Sequence, residues 1–182
     1  MATVATTHFA DRLAEAVEHK RSQLVVGLDP RPDLLPVELR GDVHLSRADA
    51  ANACARFCRG LVDAVAPYVV GVKPQVAFFE ALGADGLRAL EDVCAYARSA
   101  GLHVIADAKR GDIGSTARAY AEAYLEGDLP RADALTINAY LGRESVEPFL
   151  AAARRHGAGM FVLVKTSNAG ADVQDAHLPQ RP

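Results

Sequence analysis

Cysteine is scarce in this chain: three residues in 182, with no Cys-x-x-Cys pair. That scarcity removes the usual thiolate zinc frameworks and, without a secretion signal, points to buried, reduced thiols at Cys54, Cys58 and Cys94. The six histidines are scattered, with no His-x-x-x-His or His-Glu-x-x-His spacing, so no histidine-built metal site is expected. An excess of one charge is missing too. Twenty Lys and Arg against 23 Asp and Glu give a formal net charge of −3. With the signs interspersed, there is no basic stripe to follow a nucleic-acid backbone or to hold an anionic membrane. No apolar run approaches the length of a membrane span, and Asp11, Arg12, Glu15 and Glu18 interrupt the segment where a signal peptide would be apolar. The expectations are a cytoplasmic protein, no nucleic acid, no membrane, and a small-molecule partner.

What is present is the material of one globular domain spanning 1–182: 50% hydrophobic and 24% charged residues, enough for a substantial core. Short runs rich in Val, Leu and Ile at 23–28, 68–73, 103–108, 134–139 and 159–165 read as strands buried on both faces. Segments with helical periodicity alternate with them at 46–66, 84–100, 113–126 and 143–156. Ser46 with Asp49 forms a capping-box pattern, Pro67 follows the first of these helices, and Gly101 and Gly127 stand where helices stop. An amphipathic helix over 7–21, with Phe9, Leu13, Ala16, Val17 and Lys20 at helical spacing, precedes the first strand and is expected to pack outside the sheet.

Strand and helix alternation implies a parallel sheet with helical crossovers. Polar residues recur after every strand: Asp29, then Lys73, then Asp107 and Lys109, then Asn138, then Thr166 and Ser167. A barrel assembles its site from the carboxyl ends of several strands, whereas an open doubly wound sheet concentrates it at one switch point. No Gly-x-Gly-x-x-Gly or phosphate-loop motif follows any strand, which further disfavours a nucleotide fold. The fold class expected is therefore α/β, a (β/α)8 TIM barrel, of which this chain carries about the first five β/α units. The residues from 168 to 182 show no pattern and read as an irregular tail, with the remaining barrel expected beyond Pro182.

The most chemical stretch runs from Asp107 to Thr116. Residues two apart on a strand project to one face, so Asp107 and Lys109 are expected to point the same way. Asp112 and Thr116, at i, i+4, are expected to share a helical face. Bland readings exist for each: an ion pair ending a strand for Asp107 and Lys109, a surface lysine for Lys73, a helix N-cap for Asp112, and a turn residue for Asp29. Arg110-Gly111-Asp112 spells a cell-adhesion tripeptide, a reading that a strand-to-helix turn argues against.

Val26-Gly27-Leu28-Asp29-Pro30, Val72-Lys73-Pro74-Gln75, the stretch from Asp107 to Thr116, and Lys165-Thr166-Ser167-Asn168, in this order and each at a strand end, resemble the orotidine 5′-phosphate decarboxylase family, in particular its longer bacterial form. The resemblance runs from about residue 8 to residue 175. It implies a homodimeric barrel with shared active sites that removes CO2 from orotidine 5′-phosphate without a metal or organic cofactor. It also implies residue roles. Lys73, Asp107, Lys109 and Asp112 match a Lys-Asp-Lys-Asp network whose last member comes from the neighbouring subunit, and Lys109 matches the lysine that protonates C6. Asp29 matches a ribose-hydroxyl ligand, Thr116 its partner from the second subunit, Ser167 a contact to the pyrimidine edge, and Ile113 an apolar wall of the neighbouring pocket. Asn138 has no role the family supplies.

Three rival readings stand beside it. A Mg2+-dependent phosphosugar decarboxylase or synthase of the same superfamily shares an Asp-x-Lys-x-x-Asp pattern but places an acid near the end of the second strand, where this chain has Lys73. A Schiff-base aldolase would use a barrel lysine as an amine nucleophile. A non-catalytic fragment would only associate. The family's phosphate grip lies near the final strands, so the 182 residues alone are expected to be weakly active or inactive.

Overall fold

The computed structural model describes residues 7–40, 45–126 and 132–171. Five strands form one sheet, β1 Val25–Leu28, β2 Gly71–Pro74, β3 His103–Arg110, β4 Ala134–Asn138 and β5 Gly159–Leu163, all parallel and in the order β1-β2-β3-β4-β5. The helices are α1 Phe9–Lys20, the short α2 Val37–Arg40, α3 Arg47–Val65, α4 Val76–Glu80, α5 Gly83–Ser99, α6 Gly114–Leu125 and α7 Arg143–His156. A 3-10 turn at Pro32–Leu34 lies within the connection after β1.

Spatial order that follows chain order excludes a doubly wound sheet, whose strand order reverses at a switch point. The distribution of helices points the same way. One large core cluster joins the helices α3, α5, α6 and α7 to a single face of the sheet, through Leu28, Val72, Val104, Ala106, Leu135 and Ile137. The alternate residues, Val25, Gly71, Lys73, Ile105, Asp107, Ala134, Thr136 and Phe161, occupy the other face by strand parity and register. One face covered by crossovers and the other turned inward is the wall of a (β/α) barrel.

That inner face corrects one expectation. Helix α1 does not pack outside the sheet: its buried Phe9 sits against Ile105 and Ala134, with the rings of His103 and Phe161 edge-on at 5.7 and 6.2 Å. Phe9 therefore forms the floor of the barrel at the amino ends of the strands. A Cβ on Gly159 would meet the Phe9 ring at 2.3 Å, so this strand start has to be glycine for the floor to close. Arg12 fastens the helix there, donating to the carbonyl of Gly157 at 2.9 Å and pairing with Asp133 at 3.1 Å. Asp133 in turn accepts from the Val104 N–H at 3.0 Å. Lys20, at the other end of α1, donates to the carbonyls of Ala66 and Val69, both at 2.8 Å.

Local signals worked where they were chemical. The Ser46 hydroxyl accepts from the Asp49 N–H at 3.1 Å and caps α3, and Gly101 closes α5 at φ +74. Gly127 and residues 172–182 lie outside the described residues. Burial on both faces holds for β2, for most of β3 and for β4 up to Ile137, but not for β1 and β5, which form the two edges of the described sheet and leave Val25, Phe161 and Val162 partly exposed. Among the described residues no helix is long and apolar enough to cross a membrane.

Candidate active site

Above the Phe9 floor the inner face carries one buried carboxylate. Asp107, 6% exposed, lies on β3 and bridges to Gln75 across from it. Both of its oxygens are occupied. Oδ2 accepts from Lys73 Nζ at 2.6 Å and from Gln75 Nε2 at 3.1 Å; Oδ1 accepts from Lys109 Nζ at 2.5 Å and from the Thr136 hydroxyl at 3.1 Å. Burial alone would raise the Asp107 carboxyl, but the hydrogen bonds and charges of Lys109 and Lys73 outweigh it and hold the group below the ordinary carboxylate range. It is therefore a fixed anion between two cations.

Both lysines are only half-buried, and Lys73 lines a cavity of about 440 Å3 whose wall also includes Val25, Ile105, Thr136 and Phe161. Two ammonium groups against one carboxylate leave the cluster with surplus positive charge. Such a site suits an anionic ligand or a further acid.

The backbone delivers Lys109 by a route that strand alternation does not describe. β3 runs on to Arg110, and its register against β4 slips: Ala106 pairs with Leu135, whereas Arg110 pairs with Ile137. The extra residues form a bulge in which Lys109 takes φ +48, a left-handed conformation that costs a non-glycine residue about 1 kcal/mol or more. A bulge leaves N–H groups without ladder partners. Here the Thr136 Oγ1 takes two of them, from Ala108 at 3.0 Å and from Lys109 at 2.9 Å.

The next residue anchors the bulge from behind. Arg110 pairs with Glu80 of α4, donates to the Tyr124 hydroxyl at 3.2 Å and to the Ala108 carbonyl at 3.3 Å, and lies over the rings of Tyr120 and Tyr124. With its guanidinium so engaged, the Arg-Gly-Asp tripeptide is not presented for recognition. Gly111 follows because the chain passes so close to β4 that a Cβ would stand 2.5 Å from the Asn138 carbonyl oxygen.

The site residues read from sequence divide into two groups. Lys73, Asp107 and Lys109 come together. Asp112, Ile113 and Thr116 do not join them in this chain: Asp112 accepts from the adjacent Ile113 N–H at 2.8 Å and pairs with neither lysine, while Ile113 and Thr116 are exposed. The shared helical face expected of Asp112 and Thr116 is corrected as well. α6 starts only at Gly114, with Ile113 in the N-cap position, so Asp112 lies in the turn and caps nothing. Asp29 and Ser167 stand exposed after the carboxyl ends of β1 and β5. Asn138 ends β4, its Oδ1 accepting from the Tyr140 N–H of the following turn at 3.0 Å.

Gln75 and Thr136 are the two partners of Asp107 that sequence reasoning missed. Gln75 lay two residues beyond Lys73 in the same motif, and Thr136 two before Asn138 on the same strand face. Those spacings were the available signal.

The geometry has named counterparts. Residues 22–181 match a family profile described as orotidine 5′-phosphate decarboxylase / HUMPS family. The chain is 51% identical over 168 residues to an orotidine 5′-phosphate decarboxylase of Rhodopirellula baltica, a match covering 89% of this chain and 56% of that protein. A crystal structure from Streptomyces avermitilis, given the same name provisionally, superimposes with a TM-score of 0.81 at 44% identity, covering 98% of this chain and 60% of that one. The structure of Leishmania donovani OMP decarboxylase gives 0.76 at 36% identity, covering 96% and 61%. The chain thus spans somewhat over half the length of these relatives. With the profile matching most of its residues, the chain belongs to the orotidine 5′-phosphate decarboxylase / HUMPS family.

Proposed function

We propose that this chain carries the decarboxylating centre of a cytoplasmic, homodimeric orotidine 5′-phosphate decarboxylase that converts orotidine 5′-phosphate to UMP without a cofactor. The single observation that carries the reading is the Lys73–Asp107–Lys109 cluster, a buried carboxylate held between two half-buried lysines on the inner face of the sheet. In the reaction the bond between C6 and the carboxylate breaks, CO2 departs, and the electron pair stays on C6. A cation beside that carbon stabilises the developing charge and, if it carries a proton, quenches it. Lys109 does both: one N–H proton passes to C6, and the amine left behind is reprotonated from solvent. Asp107 fixes the ammonium groups and opposes the substrate carboxylate, disfavouring that charge until it leaves.

The surplus positive charge of the cluster supports a fourth, acidic member. Asp112, unpaired with either lysine in its own chain, serves as that acid in the neighbouring subunit's site, with Ile113 and Thr116, exposed at the N-cap and in the first turn of α6, carried across beside it. Asp29 and Ser167 are assigned to the ribose hydroxyls and the pyrimidine edge because they match the family's residues for those contacts, and both lie exposed after strand ends. A Mg2+-dependent reading is disfavoured by Lys73, which occupies the place of the acid that such enzymes use.

The test is loss of absorbance as orotidine 5′-phosphate is consumed by the protein as its gene encodes it. Activity should survive EDTA. Lys109→Ala should retain less than about a hundredth of parent kcat, the scale of a lost positioned proton donor, while still binding UMP. A Lys109→Ala variant as fast as the parent would refute the assignment.

A further inference from the structure

We propose that Thr136 is a positioning residue of this reaction, its hydroxyl holding the β3 bulge so that Lys109 and Asp107 keep one fixed geometry. The inference rests on the decarboxylase reading of the same cluster. A hydroxyl has one proton to donate and two lone pairs to offer. Thr136 uses all three: Oγ1 accepts the Ala108 and Lys109 N–H groups at 3.0 and 2.9 Å, and its proton goes to Asp107 Oδ1 at 3.1 Å, a charged acceptor nearer than the Ala106 carbonyl oxygen at 3.4 Å. One atom therefore replaces the ladder carbonyl that the bulge has lost, fixes the backbone at the left-handed Lys109, and aims the carboxylate that aims Lys109 Nζ. On the other oxygen, Lys73 and Gln75 hold Asp107 but touch nothing of the Lys109 backbone. Thr136 alone among these partners couples both. At 8% exposure its hydroxyl has no lone pair left for substrate, so it acts through Lys109 and Asp107.

Thr136→Val keeps the shape and removes the hydroxyl; Thr136→Ser keeps the hydroxyl and removes a methyl. In the protein as its gene encodes it, Val should lower kcat about 10- to 100-fold, the scale of an ångström-level misplacement of a reacting group, with KM moving less than about three-fold. Ser should restore kcat to within about five-fold of the parent, because the hydroxyl that fixes the geometry is back. A crystal structure of the Val variant should show Lys109 out of the left-handed region or its Nζ off Asp107. If Val does not fold, Thr136→Ala, which leaves room for a water, is read in the same way. The proposal is overturned by a Val variant with parent-like kcat, by a Ser variant as impaired as Val, or by an unmoved Lys109 and Asp107 in the Val crystal structure. If the parent itself does not decarboxylate orotidine 5′-phosphate, the functional reading fails separately, and the crystal structure still decides what Thr136 holds.

Discussion

Asp107 carries a pH dependence whose sign follows from its surroundings. Its carboxyl is held below the ordinary range by Lys109 and Lys73, so the folded state favours the charged form. The stabilisation is fully present above the ordinary carboxylate range and is lost as pH falls through the lowered folded value. Urea denaturation of parent and Asp107→Asn across pH 2–7 should show the parent losing more stability on acidification; parallel curves would mean that the lysines do not hold the carboxylate. At this scale the charged members of the site were legible, because Asp and Lys after a buried apolar run have few bland explanations. Thr136 was not. A threonine in a strand is ordinary, and its importance depends on a β3–β4 register slip that no local pattern encodes. The shared face expected of Asp112 and Thr116 failed for a related reason: spacing of i, i+4 means a shared face only where a helix exists, and the helix begins two residues after Asp112.

Among the elements, α1 has the clearest energetic consequence. Phe9 buries its ring against Ile105 and Ala134 over the barrel floor, and truncating a buried phenylalanine removes both transfer free energy and packing. Phe9→Ala should cost about 3–5 kcal/mol in chemical denaturation, toward the lower end because the floor is met from one side only. A loss below about 1 kcal/mol, typical of a surface site, would mean that the helix is merely draped over the sheet. Helix and strand positions were largely readable from periodicity and caps, with α7 falling on its expected span and α3 capped by Ser46. The docking of α1 was not, since periodicity gives a helix an apolar face without saying which surface receives it. The extension of β3 to Arg110 escaped for the opposite reason: its polar end breaks the apolar pattern while the backbone stays extended.

Across the whole molecule, the shared-site proposal makes a sharp demand. Lys109→Ala and Asp112→Ala are each expected to be inactive alone, yet mixed dimers collect both lesions in one site and leave the other intact. Subunit exchange should therefore restore up to about half the parent activity per mixed dimer. No recovery after exchange has been verified would place Asp112 in its own chain's site. The sheet that carries these residues also shapes how the molecule comes together. Val25 meets Gly71, Gly71 meets His103, Ile105 meets Ala134 and Ala134 meets Gly159, so every pairing joins neighbours in the chain. The longest of these loops is less than twice the shortest, and closing them differs by under about 0.6 kcal/mol. Loop entropy thus sets no sequence of events. Burial is less even: it concentrates on β2, β3 and β4 around Val72, Val104 and Leu135, so the bulge that carries Lys109 is flanked on both sides by the most deeply packed strands of the described sheet.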